Sequence, residues 1–116
     1  MDNETGALAD AVAGSLAIVG GTFDPIHNGH LRLALEVHQQ LGFESVALMP
    51  CAQPSHRDQP GCTAEQRLQM VQLSVQDCAG LTVDDRELLR DGPSYMVHSL
   101  ESLRQELGEQ QSITLV

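Results

Sequence analysis

A chain of 116 residues supplies one domain's worth of core and not two. Its 16 acidic residues face 6 basic ones, all arginine, for a formal net charge of -10, a field that repels both nucleic acid and an anionic membrane surface. No apolar run is long enough to span a bilayer. The same negative field repels a polyphosphate at long range, so such a ligand has to be held by a local cluster of donors.

Residues 1–14 are small and acidic, lack the basic start and apolar stretch of a signal peptide, and read as a disordered N-terminal tail. Leu16, Ala17, Ile18 and Val19 then form an apolar run bounded by glycines, the pattern of a buried strand. Gly20-Gly21-Thr22-Phe23-Asp24-Pro25-Ile26-His27-Asn28-Gly29-His30 follows, and Leu31, Ala34, Leu35, His38 and Leu41 recur at helical spacing until Gly42 supplies a stop. The glycines therefore fall where a strand turns sharply into a helix, leaving backbone N–H groups near a positive helix N-terminus, where anions bind in open α/β folds. His27 and His30 are three residues apart, so both side chains can reach one ligand. Gly29 removes a side chain and lets a polyphosphate approach the backbone. Two histidines at this spacing, taken alone, are surface residues of a helix start; the string that precedes them gives them a function.

Residues 45–49 form a second apolar run ending at Pro50, expected to lie parallel to the first strand after the helical crossover. The loop over residues 51–62 carries Pro54, Pro60 and the basic pair His56-Arg57, in the place where α/β folds put ligand contacts. Thr63 and Gln66 make a capping box, and Leu68, Val71, Val75 and Cys78 the stripe of the helix it opens, up to Gly80. Residues 81–83 form a third short strand, and the charged stretch over residues 84–90 reads by itself as a surface turn. Ser94 is the expected N-cap of a last helix, with Met96, Leu100, Leu103 and Leu107 as its buried stripe and Gly108 as its end. Residues 113–116 begin a fourth strand. The cysteines Cys51, Cys62 and Cys78 have no metal-ligand spacing and leave one unpaired, which suits a reduced, cytoplasmic compartment.

The string GGTFDPIHNGH resembles the T/HxGH signature of the nucleotidyltransferase superfamily related to class I aminoacyl-tRNA synthetases. In its GGTFDPxHxGH form it is most similar to the bacterial nicotinate-nucleotide adenylyltransferases. Further segments match in the same order. Pro54-Ser55-His56-Arg57 is similar to a Pro-Pro-His-Lys or Pro-Pro-His-Arg phosphate-binding segment, Arg67 and Met70 match a helix pattern, and Glu87, Leu88 and Arg90 fit Glu-Leu-x-Arg. Ser94-Tyr95-Met96 stands where family members show Ser-Tyr-Thr, so a threonine hydroxyl is lost at Met96, and His98 replaces an acid or amide. On this footing Met70 is a core residue and Arg67 a structural ion-pair donor.

The resemblance implies an α/β, Rossmann-like nucleotidyltransferase fold with a parallel sheet, helices on both faces and the fourth strand beside the first. Residues 15–116 correspond to its N-terminal part, and the C-terminal part, with the motif that grips ATP from the far side, is absent from the sequence. The implied reaction moves the adenylyl group of ATP to nicotinate mononucleotide. His27 and His30 are its catalytic residues; Gly21, Thr22, Phe23, His27, His30 and Arg57 bind ATP phosphates, and Ser94, Met96 and Val97 bind nicotinate mononucleotide. Magnesium arrives with ATP, and no dedicated metal site is expected. Two other readings stand beside this one. One is a sister transferase acting on nicotinamide mononucleotide or phosphopantetheine. The other is a non-catalytic nucleotide-binding or assembly module that self-associates through the exposed edge of its last strand.

Overall fold

The computed structural model describes residues 15–51, 63–89 and 95–116. Its strands β1 (Leu16–Gly21), β2 (Ser45–Pro50), β3 (Leu81–Val83) and β4 (Ile113–Leu115) form one sheet in the order β3-β2-β1-β4. All three pairings are parallel, with Leu16 opposite Ser45 and Ile113, and Val46 opposite Leu81. Three helices connect them: α1 (Asn28–Gln40), α2 (Ala64–Val75) and α3 (Met96–Leu107). A 3₁₀ turn, Arg86–Leu89, lies between β3 and α3.

The two central strands explain why their sequences read as continuous apolar runs. Ala17, Val19, Val46 and Leu48 point to one face and pack with Ala34 and Val37 of α1 and Val71 and Val75 of α2. Ile18, Ala47 and Met49 point to the other and pack with Leu103 of α3. A strand covered on both faces has no polar side, and the period-two pattern disappears. The expected α/β sheet with helices on both faces, and the placement of the fourth strand beside the first, are what the structure has.

Helix boundaries follow local chemistry closely. The Thr63 hydroxyl accepts from the Gln66 amide at 3.1 Å while Gln66 Oε1 accepts from the Thr63 amide at 3.0 Å, so the capping box forms as expected. Gly42 at φ +77 turns the chain out of α1, and Gly80 at φ +88 turns it into β3. Gly80 is constrained a second time, because a Cβ there would lie 2.3 Å from Nε2 of His38. His38, whose Nδ1 sits 2.7 Å from the Phe43 carbonyl, thereby closes the α1–β2 turn against the α2–β3 turn.

Several expected core positions differ. In α1 the buried residues are Ala34 and Val37, with Leu31 and Leu35 at the margin, and Leu41 is 69% exposed because the helix has already ended at Gln40. In α2 Met70 is half-buried and lies outside the core, while Arg67 is buried. In α3 Leu103 is buried and Met96 and Leu100 pack beside it, but Leu107 is exposed in the last turn. Its N-cap is Tyr95 rather than Ser94, because the helix starts one residue later than the capping signal suggested. Ser94, Arg57, Arg90, Cys62 and the tail over residues 1–14 lie outside the described residues. Among the described residues no helix is long and apolar enough to cross a membrane.

The strand order places the site. The chain steps outward from β1 to β2 and β3, then returns to β4 on the opposite side of β1. The C-terminal end of β1 is therefore a topological switch point, the crevice where open α/β sheets bind ligands.

Candidate active site

The strand that carries the glycine string runs further than its sequence indicates. Gly20 and Gly21 are still in β1, opposite Met49 and Pro50 of β2, and the Cys51 amide donates to the Gly21 carbonyl at 3.0 Å. The turn is made instead by Phe23 at φ +51 and by a cis Asp24–Pro25 peptide. The glycines serve close approach. A Cβ on Gly21 would lie 3.1 Å from the Phe23 ring, which folds back over the strand and is 3% exposed. On Gly20 it would lie 2.7 Å from the Met96 methyl. The bare backbone at the end of β1 thus accommodates one side chain from its own loop and one from the start of α3.

At the start of α1 the two histidines meet, as their spacing implies, with ring centroids 3.8 Å apart and planes 26° from parallel. His27 is the N-cap, in extended conformation, and its Nδ1 accepts from the Gly29 amide at 3.1 Å. His30 reaches back, its Nδ1 accepting from the His27 amide at 3.0 Å. This is the reciprocal logic of a capping box with imidazoles in place of the usual hydroxyl and carboxylate. An Nδ1 that accepts a hydrogen bond carries no proton, so each ring holds its proton on Nε2. The caps therefore leave two stacked rings, each with an Nε2–H donor not used in the helix start.

Burial lowers the pKa of His30 below the usual histidine value, and the neighbouring His27 lowers it further. Both effects favour the neutral Nε2–H form that the cap requires. His30 is also fixed edge-on against Phe23, with centroids 4.9 Å apart at 87°. The reason for Gly29 is visible here: a Cβ at that position would lie 3.0 Å from Cε1 and 3.1 Å from Nδ1 of His27. The sequence reading gave this space to the ligand, whereas the His27 ring takes it.

The start of α3 meets the same strand end. Met96 lies against Gly20, and Val97 is 58% exposed. Tyr95 caps the helix with no side-chain hydrogen bond, and its ring meets His98 edge-on at 5.9 Å. Gly21, Thr22, Phe23, His27 and His30 are thus assembled at the end of β1, with Met96 against Gly20 of the same strand.

Three residues have site-building roles that the sequence concealed. Arg67 of α2, 1% exposed, also has a role beyond the expected ion pair: its Nη1 donates to the carbonyls of Thr22 and Cys51, both at 2.8 Å. Glu87, 2% exposed, accepts from the fully buried Ser99 hydroxyl at 2.5 Å and pins the 3₁₀ turn to α3. Arg86 donates to Asp84 at 2.8 Å, Ser102 at 2.9 Å and Glu106 at 3.0 Å, and the hydrogen bond to Asp84 is the main cause of its raised pKa. The charged stretch is accordingly anchored to α3 through the buried Glu87 and the half-buried Arg86, while Leu89 stays exposed. The family pattern at Glu87 was the only sequence signal of this. Among the described residues no group of three or more histidine, cysteine or acidic side chains is placed to hold a metal ion.

A cytidylyltransferase-like family model matches residues 18–114. The chain is 54% identical over 99 residues to a probable nicotinate-nucleotide adenylyltransferase of Cellvibrio japonicus, covering 85% of this chain and 47% of that protein. It is 47% identical over 107 residues to one from Chromohalobacter salexigens, covering 92% and 49%. In fold it is similar to the nicotinic acid mononucleotide adenylyltransferase of Plasmodium falciparum solved with NaAD, with a TM-score of 0.67 at 16% identity over 86% of this chain and 49% of that one. The chain spans about half the length of the curated relatives it matches.

Proposed function

Because this chain belongs to the cytidylyltransferase-like family, we propose that the protein transfers the adenylyl group of ATP to nicotinate mononucleotide, giving deamido-NAD and pyrophosphate. The observation that carries the reading is the stacked His27–His30 pair at the N-terminus of α1, whose two Nε2–H donors stand at the switch point of the sheet. The high identity to relatives named for this activity supports the choice of substrates.

In this mechanism an oxygen of the nicotinate mononucleotide 5'-phosphate attacks the α-phosphorus of ATP in line. The bond from that phosphorus to the bridging oxygen breaks, and pyrophosphate leaves with its electron pair. No covalent enzyme intermediate forms, so the protein contributes positioning and electrostatic stabilisation. His30, the more buried of the pair, donates to the α-phosphate, where charge develops in the transition state. His27, the amides of Thr22 and Phe23, the bare backbone at Gly21 and the cation of Arg57 hold the remaining phosphates. Backbone amides at Met96 and Val97, with Ser94, receive the pyridine nucleotide. Magnesium enters as part of the substrate, bound to the polyphosphate. The reaction is assigned to the cytoplasm, and self-association to the outer edge of β4, where Leu115 is 50% exposed.

The test is to incubate the full-length protein with ATP, magnesium and nicotinate mononucleotide and to follow the dinucleotide by mass spectrometry. Deamido-NAD is expected. Faster turnover of nicotinamide mononucleotide or phosphopantetheine would move the protein to a sister activity, and no product from any of the three would leave a binding module.

A further inference from the structure

Arg67 occupies an unfavourable place for a cation. It lies in the first turn of α2, beside the capping box of Thr63 and Gln66, where the helix dipole favours negative charge. Its side chain is also taken out of water, at 1% exposure, which is costly for a guanidinium. An apolar side chain of similar length would avoid both costs. The side chain must therefore be judged by what its hydrogen bonds do.

Those bonds reach the two loops at the C-terminal ends of the central strands. One nitrogen, Nη1, holds the Thr22 carbonyl after β1 and the Cys51 carbonyl after β2, each at 2.8 Å. The Thr22–Phe23 peptide is trans, the cis bond of this loop being Asp24–Pro25. In a planar trans peptide the C=O and the N–H point in opposite directions. Holding the Thr22 oxygen down onto Arg67 therefore turns the Phe23 N–H away from α2. The next residue keeps that orientation, because Phe23 is locked at φ +51 with its ring buried over Gly21. A backbone N–H aimed by a fixed carbonyl needs no reorganisation when an anion arrives.

We propose that Arg67 is a positioning residue that aims the Phe23 amide at a phosphate of the bound nucleoside triphosphate. It acts through the loop backbone and does not touch the ligand. The proposal rests on the adenylyl-transfer reading only for the identity of the ligand, since the orientation of the peptide is independent of which reaction follows.

The test uses the full-length protein, with Arg67→Met and, should that variant not fold, Arg67→Lys, which keeps the charge but not the planar guanidinium. In turnover assays the expected result is a KM for ATP raised about tenfold or more, with the KM for nicotinate mononucleotide unchanged within about threefold, the scale of a misplaced binding group. A variant that melts earlier yet keeps the wild-type KM for ATP would overturn the proposal, since a purely structural role predicts that outcome. A second readout does not depend on activity. In ¹⁵N-labelled protein, inorganic triphosphate should shift the Phe23 amide resonance of wild type, and the shift should be lost in the variant. If wild type makes no dinucleotide but the amide responds in this Arg67-dependent way, the inference stands and the substrate assignment fails. If the amide of active wild type does not respond, or responds equally in the variant, the inference fails and the substrate assignment stands.

Discussion

The helix starts of α1 and α3 flank the same strand end, yet α1 is organised by side chains at its very first turn and α3 from within. In α1 the N-cap and the third helical residue are histidines that satisfy each other's neighbouring amides and stack. In α3 the N-cap side chain makes no bond, and the helix is held one turn in, where the Ser99 hydroxyl meets the buried Glu87 carboxylate. The contrast matches the two halves of the proposed reaction. Charge develops at the phosphates, and side-chain donors must be preorganised there; the pyridine nucleotide only has to be held, and backbone amides on a well-anchored helix suffice.

The comparison can be broken first at His30. His30→Ala should lower turnover of the full-length protein about 10²–10³-fold, the scale of one lost transition-state donor, while leaving the KM for nicotinate mononucleotide nearly unchanged. Steady-state kinetics decide this, and an unchanged rate would remove the histidine from the chemistry. At α3 the effect should appear in stability and in the other substrate. Ser99→Ala strands the buried Glu87 carboxylate, which costs about 1–3 kcal/mol in denaturant unfolding, and it should raise the KM for nicotinate mononucleotide rather than that for ATP. Equal changes in both KM values would show that the two helix starts are not independent.

Gly29→Ala separates packing from function within α1. Alanine favours a helical backbone by about 1 kcal/mol over glycine, but its Cβ would crowd the His27 ring, 3.0 Å away. The variant should melt close to wild type, the gain in helix propensity being offset by strain on the His27 cap at the Gly29 amide, and be about tenfold less active, because the ring must tilt. An undiminished rate would show that the position of His27 does not matter. The smallest effect concerns pH. His30 has a lowered pKa in the folded protein, so above about pH 6.5, the ordinary histidine value, both folded and unfolded forms are neutral and its environment carries no penalty. As the pH falls through that value the unfolded chain takes up the proton first, and stability is lost until the lowered folded pKa is passed. Wild type should therefore show a slight extra fall in melting temperature below about pH 6.5 that is absent from His30→Ala.

Much of this fold was legible residue by residue. The run Leu16 to Val19, the pair Thr63 and Gln66 and the strand Leu81–Val83 were recognisable because each depends on neighbours within a few positions. The parallel order of β1 and β2 followed from strand, helix and strand in succession. The histidine pair was legible as two side chains converging at a helix start but not as a helix cap, because capping signals are ordinarily hydroxyls and carboxylates. The glycines were placed at the right loop for partly the wrong reason: Gly21 and Gly29 leave room for the rings of Phe23 and His27, a matter of side-chain packing that spacing does not encode.

The sequence by itself determined which chemistry gathers where: donors and bare backbone after the first strand, an apolar strand to carry them and a helix whose start brings two histidines together. It could do so because strand, turn and helix starts are decided by short-range sterics and hydrogen bonding. Only the tertiary structure decided how those groups are aimed. Arg67 meets the Thr22 carbonyl across 45 positions of sequence and the Cys51 carbonyl across 16, and Glu87 meets Ser99 across 12. A buried polar group must find a partner wherever packing brings one within reach, and that partner is set by how helices lie on the sheet rather than by the residues next to it in the chain.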